Sequence, residues 1–274
     1  MGDMAILTAA HKAFEPLGLE GYLPVQVGAA LAQKDLGFQR DDEGENISAK
    51  NPQYCELTAQ YWAWKNLPGP RILGLVHYRR YFVKDLYAPD VKGQILTAAD
   101  IRALLERYDI ILPRPTYKQV CNGILHHDRP KEAQNQPMVL LEELMGRRCP
   151  EYMPSFEKFA YGHKASFGNM LIARREIFCA YCAWMFPLLE EFEAMGRAAG
   201  VLAPRMCGFI SEYLLCIWAH HNFPPEKILF LDVANTEDDR RALGYRVRKA
   251  LVKLGIFEPV SRVLFAVYYK VKGG

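Results

Sequence analysis

The 274-residue sequence predicts an α/β fold, and three features predict it. Short apolar runs of strand character recur around residues 6–8, 72–76, 109–113, 168–173 and 228–231. Stretches of helical period lie between them, and proline, glycine and asparagine mark the junctions. The sharpest run is residues 72–82, ILGLVHYRRYF, where an apolar strand ends abruptly in His77, Tyr78, Arg79 and Arg80. In an open α/β sheet the crevice beyond the carboxyl ends of the strands binds ligands, so these side chains fall where an anion would sit.

The remaining elements follow in order. Residues 6–8 open a strand that ends at Ala9, Ala10, His11 and Lys12, a small-residue turn suited to a nucleotide pocket but without the glycine-rich fingerprint. His11 and Lys12 there read as phosphate or base contacts, or as a plain polar loop. Residues 22–31 are apolar but broken by Pro24 and Gly28, and residues 37–50 form a polar loop. Asn51 and Pro52 mark a helix start, with asparagine as the cap and proline in the first turn. Tyr54, Leu57, Tyr61 and Trp64 then share one stripe. Trp62 and Trp64 have two readings, core packing and sugar stacking.

Thr97 and Asp100 have capping-box spacing. Residues 114–136 lack periodicity and carry His126, His127 and Asp128, the composition of a functional loop or lid. A helix is expected from Pro137 to Met145. A longer one follows Arg174 and Arg175, with Pro187 expected to kink or split it, and another follows Arg205, Cys207 and Gly208.

Composition bounds the function. The start, MGDMAILTAAHK, lacks the pattern of a signal peptide, and no apolar run is long enough to span a bilayer. Seven scattered cysteines fit buried thiols in a reducing compartment better than a disulfide framework or a zinc site. Residues 240–274 carry nine basic side chains against the single acid Glu258, a charge of +8, which leaves −5 for residues 1–239 out of the total of +3. A nucleic-acid surface on the main body is therefore not expected. The chain divides into a catalytic-type domain, residues 1–239, and a basic tail, residues 240–274. The tail interleaves its charges with Leu251, Leu254, Phe257, Val263, Leu264 and Tyr268, as in a segment lying on a membrane surface. Its other reading is an apolar face packed on the domain.

The chemistry starts from charge. Paired guanidinium groups suit oxyanions, especially a diphosphate, and His77 adds a titratable group. In an extended strand His77 and Arg79 face one way and Arg80 the other, so both arginines reach one site only if the chain turns immediately. A structural ion pair is the other reading for each arginine. Metal sites are not favoured: His126, His127 and Asp128 are adjacent rather than spaced for one ion, and Asp41, Asp42 and Glu43 read as a charged loop.

The phrases GENISAKNPQYCELTAQYWAWKN and GLVHYRRYF, with FGNMLIARREIF at 167–178 and RMCGFISEYLL at 205–215, resemble the DUF4422 domain family over about residues 6–232. That family occurs in bacterial capsular and exopolysaccharide synthesis and is grouped with glycosyltransferases. The resemblance implies a GT-A-like fold, a mixed, mostly parallel sheet flanked by helices. It also implies transfer of a hexosyl or galactofuranosyl unit from a UDP-sugar to a lipid-linked glycan, at the cytoplasmic face of the bacterial inner membrane.

In that scheme His11, Lys12, Arg79, Arg80 and Asp109 would bind the donor. Glu212, with His77 beside it, would do the proton chemistry; Asp109 and Glu56 are rival bases, and a surface ion pair is the other reading of Glu212. His126, His127, His163, Asn169 and Trp64 would meet the acceptor, or serve as structural contacts. Where GT-A enzymes carry an Asp-x-Asp metal motif, this sequence has His77, Tyr78, Arg79 and Arg80. Cationic groups in place of a metal are the expected consequence, with no cofactor required and a divalent ion the less favoured option. A noncatalytic carbohydrate-binding protein is the competing class. The oligomeric state is left open.

Overall fold

Every residue of the first strand, β1 (Met4–Ala10), is buried, which is possible only if both faces of its sheet are covered. The computed structural model, which describes residues 2–117, 136–162, 164–238, 243–255, 257, 259, 260 and 263, shows how. Alternate residues serve two cores. Ala5, Leu7 and Ala9 of β1 and Leu73 and Leu75 of β4 (Ile72–His77) face one, with helices packed over them. Met4, Ile6, Ile72 and Val76 face the other.

β1 pairs in parallel with β4 on one side and with β2 (Tyr22–Gln26) on the other, and β2 pairs in parallel with the short β3 (Gln39–Arg40). Beyond β4 the sheet is not the open, mostly parallel array expected. β5 (Arg80–Val83) returns antiparallel after a two-residue turn, pairing Arg80 with His77. β10 (Ile228–Asn235) runs antiparallel to β5 and parallel to β6 (Ile110–Pro113). β6 pairs antiparallel with β9 (Leu171–Arg174), and β9 pairs antiparallel with β4 along Ile72–Leu75. The ladder β4-β5-β10-β6-β9 therefore closes on itself as a five-stranded barrel, with β1, β2 and β3 as extra strands.

Of the eight pairings in this sheet among the described residues, four are parallel and four antiparallel. The GT-A-like, mostly parallel expectation is corrected accordingly; only the mixed α/β content stands. The reason is physical: an apolar run reports burial, not direction, and two short return strands reverse the ladder. A second small sheet joins β7 (Thr116–Tyr117) to β8 (Lys164–Ala165).

Closure needs a missing side chain. Gly74 sits opposite Ile172, and a Cβ there would lie 2.8 Å from Ile172 Cγ1 and 2.9 Å from the Leu171 carbonyl oxygen.

The helices set the site. α1 (Asn51–Tyr54) breaks at Cys55 before α2 (Leu57–Asn66) begins. Asn51 is the first helical residue rather than the expected cap, and its Nδ2 donates across the break to the Cys55 carbonyl at 2.7 Å. Buried Glu193 ties α1 to α6 (Arg175–Ala198), accepting from Tyr54 Oη at 3.1 Å and from Lys50 Nζ at 3.0 Å. Of the two expected effects of Pro187, splitting does not occur: the residue lies inside the continuous α6. Thr97 and Asp100 form the predicted capping box of α3 (Ala98–Arg107). α4 (Gln136–Arg148), α5 (Met153–Ala160) and α7 (Met206–Asn222) complete the helical layer, and α8 (Leu243–Lys253) opens the tail.

Gly74→Ala should cost about 1–3 kcal/mol by forcing β9 off β4. Chemical denaturation checks it, with an unchanged midpoint as the contrary result.

Candidate active site

The site is assembled where β4 ends. The chain turns at once after His77, so Tyr78 and Arg79 form the turn and Arg80 pairs back opposite His77. Residues directly opposite in an antiparallel pair share a face, which puts His77 and Arg80 on the same side. Their common neighbour is the segment entering β9. His77 Nε2 donates to the Gly168 carbonyl at 2.6 Å, while the Gly168 N–H donates to Glu212 Oε1 at 2.7 Å. The next residue, Asn169, donates from Nδ2 to Glu56 Oε1 at 2.8 Å and to the Gly208 carbonyl at 2.9 Å. Ser211 Oγ lies 2.7 Å from both Asn169 Oδ1 and the Gly208 carbonyl. Glu56 Oε1 is 3.9 Å from His77 Nε2.

Backbone strain is concentrated here. Among the described residues three non-glycine residues have positive φ: Cys55 at 53°, Asn169 at 53° and Arg205 at 64°. All three border this cluster. Cys55 precedes Glu56, Asn169 holds Glu56, and Arg205 Nε reaches Cys55 Sγ at 3.4 Å from the start of α7. Such conformations cost energy and persist where packing over-determines them, which is typical of functional sites. Gly168, at φ 98°, precedes Asn169, and the two successive left-handed residues turn one peptide N–H toward Glu212 and one carbonyl toward His77.

Electrostatics separate two zones. Burial first, and then the charge of Glu56, push the Glu212 carboxyl up to about 8; the Gly168 amide, Arg80 and Arg205 pull the other way. Among the described residues the Arg80 side chain has no hydrogen-bond or ion-pair partner, and its charge is felt by Glu212.

The second zone is cationic and more exposed. Lys12 Nζ and Arg79 Nη1 both bind Glu237, at 3.3 and 3.1 Å, and both lie over the Tyr78 ring, at 5.1 and 5.5 Å. His11 meets the edge of the same ring at 5.4 Å. Its pKa is lowered by desolvation and then by Lys12, Arg79, Arg205 and His77.

The structure thus brings together His11, Lys12, His77, Arg79, Arg80, Asn169 and Glu212. It does not bring in Asp109 or Trp64. Asp109 precedes β6 at the opposite end of the barrel and forms an ion pair with Arg174. Trp64 stacks on Phe186 of α6 with ring centroids 5.7 Å apart and planes 6° apart, and Lys65 Nζ lies over its ring at 4.1 Å. His126, His127 and His163 lie outside the described residues. Sequence reasoning left Gly168, Ser211, Arg205 and Glu237 without roles. The consecutive Gly168 and Asn169, both residue types tolerant of positive φ, were the available signal for the first.

Among the described residues no group of three or more His, Cys, Asp or Glu side chains is placed to hold a metal ion. Asp41 instead accepts from the Gly28 and Ala29 amides at 2.8 and 3.0 Å and from Ser48 Oγ at 2.5 Å.

The end of β4 thus carries a buried carboxylate, Glu212, linked to His77 through Gly168, and a cluster of the cations Lys12 and Arg79 around Tyr78. A family model, that of the domain of unknown function DUF4422, matches residues 5–223, and the chain belongs to that family. Among solved structures it is similar to the apo structure of WbbM, a bifunctional glycosyltransferase. The identity is 26% and the TM-score 0.73, over 86% of this chain and 46% of the other, so the chain spans about half the length of that protein. No curated protein matches.

Glu212 makes stability depend on pH. Between 4.5 and about 8 the folded carboxyl keeps a proton that the unfolded one has lost, so this group's contribution falls as pH rises. Glu212→Gln should therefore gain stability over the unmodified protein progressively from pH 5 to pH 8, reaching several degrees in Tm. Parallel melting curves with a constant offset would contradict this.

Proposed function

We propose that the protein is a glycosyltransferase of bacterial surface-glycan assembly, moving a hexosyl or galactofuranosyl unit from a UDP-sugar to a lipid-linked acceptor. The observation that carries this reading is the proximal Glu212 and cationic zone at the end of β4, in a chain of this family that is similar to a glycosyltransferase.

In the proposed step the acceptor oxygen attacks the anomeric carbon. The bond from that carbon to the diphosphate oxygen breaks, and the hydroxyl proton passes to ionised Glu212. Arg79, Lys12, Arg80 and His11 take up the charge of the departing diphosphate. Glu237 is the carboxylate that neutralises Lys12 and Arg79 without ligand, and the diphosphate replaces it. Asn169 and His77 hold the geometry of the carboxylates. No step is routed through a metal.

The domain of residues 1–239 would carry the chemistry and residues 240–274 the contact with the cytoplasmic face of the inner membrane. Support comes from the tail charge of +8 and from exposed Val247, Val252, Leu254 and Val263 in and after α8. No helix among the described residues is long and apolar enough to cross a membrane.

Titration with UDP tests the donor reading. Binding is expected, and Glu237→Gln should tighten it by roughly two- to ten-fold, since an exposed ion pair is a weak competitor. Absence of nucleotide binding would favour a noncatalytic carbohydrate-binding protein. Removing residues 245–274 should leave the domain folded while abolishing its recovery with vesicles rich in anionic lipid; unchanged recovery would remove the membrane role.

A further inference from the structure

Glu56 sits at the one break in the α1–α2 segment, on a residue following the strained Cys55, and its side chain is only 12% exposed. A buried carboxylate in such a place needs an account. Two consecutive left-handed residues supply it: the Gly168 amide holds Glu212, and the Asn169 side chain holds Glu56. The two carboxylates are thus presented by one turn, from α7 and from the α1–α2 break. Asn169 is itself fixed by Gly208 and Ser211 of α7, so neither carboxylate can swing away without breaking a buried bond.

We propose that Glu56 is a positioning residue that acts through Glu212: the two form a carboxylate dyad on the Gly168–Asn169 turn, in which the charge of Glu56 sets how readily Glu212 takes up a proton. This deepens the proton-acceptor role assigned to Glu212 and rests on that reading. The groups facing Glu212 from the elements around it are Glu56 and Cys55 from the break, His77 from β4, Arg80 from β5 and Arg205 at the start of α7. Arg80 and Arg205 favour ionisation, and the like charge of Glu56 opposes it. A like charge held on the same turn disfavours the ionised form of Glu212.

In the proposed reaction the doubly ionised dyad is the base. The acceptor O–H bond breaks as the new C–O bond forms, the proton goes to Glu212, and the dyad returns to its singly protonated state. The negative charge lost from the dyad is the charge gained on the diphosphate, where the cationic zone receives it.

Glu56→Gln isolates this role, because its amide oxygen still accepts from Asn169 Nδ2. The expected result is a pH–rate profile for kcat/KM whose rising limb moves toward acid by about one pH unit, a tenfold change in proton affinity. The loss of stability between pH 5 and pH 8 should shrink at the same time. A lower rate at every pH, with the limb and the stability slope unmoved, would show a purely structural role and overturn the proposal. A variant that fails to fold at pH 5 would also overturn it, since removing the repulsion cannot destabilise the dyad. If no UDP-sugar supports transfer by the unmodified protein, the stability slope decides alone: a smaller slope in Glu56→Gln keeps the dyad while the transferase reading falls, and an equal slope removes both.

Discussion

The reversal of the backbone at Gly168 and Asn169 is the constraint on which the polar architecture depends. Each residue carries one main-chain donor and one acceptor, on the two peptide groups that flank its Cα, and its φ and ψ set where they point. At Gly168 the N–H fixes Glu212, and the carbonyl fixes His77. Only a left-handed residue pair delivers both at the entrance to β9, and the Asn169 side chain then reaches the third group, Glu56. Three chain segments remote in sequence are held by two residues.

Barrel closure explains why that turn lies where it does. β9 runs antiparallel to β4, so the start of β9 lies near the end of β4. A parallel β9 would have carried Gly168 to the opposite end of the sheet, away from His77. The same reversal places Asp109 and Arg174 together far from the site, because the end of β9 meets the start of β6. The absent side chain at Gly74 is thereby linked to the chemistry at His77 through the position of one strand.

Helix geometry contributes the other half. Lys50, Tyr54 and Arg197 converge on buried Glu193 and anchor α1 to α6. With α1 held and α2 packed through Trp64 against Phe186, the chain between them is forced through the strained conformation at Cys55. Glu56 emerges from that break toward the barrel. The cost of the strain is met by the packed helices on either side, a common arrangement around functional groups.

The sequence by itself determined the local elements and the chemical character of the site. Apolar runs marked the strands, Thr97 and Asp100 marked a helix start, and His77, Arg79 and Arg80 announced a cationic strand end, because these signals lie within a few residues of one another. The phrases that carry Glu212 and Asn169 also stood out in the sequence, and the fold brings them side by side. Only the tertiary structure decided strand direction, and with it barrel closure, the partners of Asp109 and Trp64, and the placing of Glu56 and Glu212 on one turn. Those depend on contacts between segments more than a hundred residues apart, such as Glu56 with Asn169, and on the immediate turn after His77 that puts Arg80 on its face. Side-chain identity carries charge and hydrophobicity along the chain, but which carboxylates meet on one turn is set by where the folded backbone brings them.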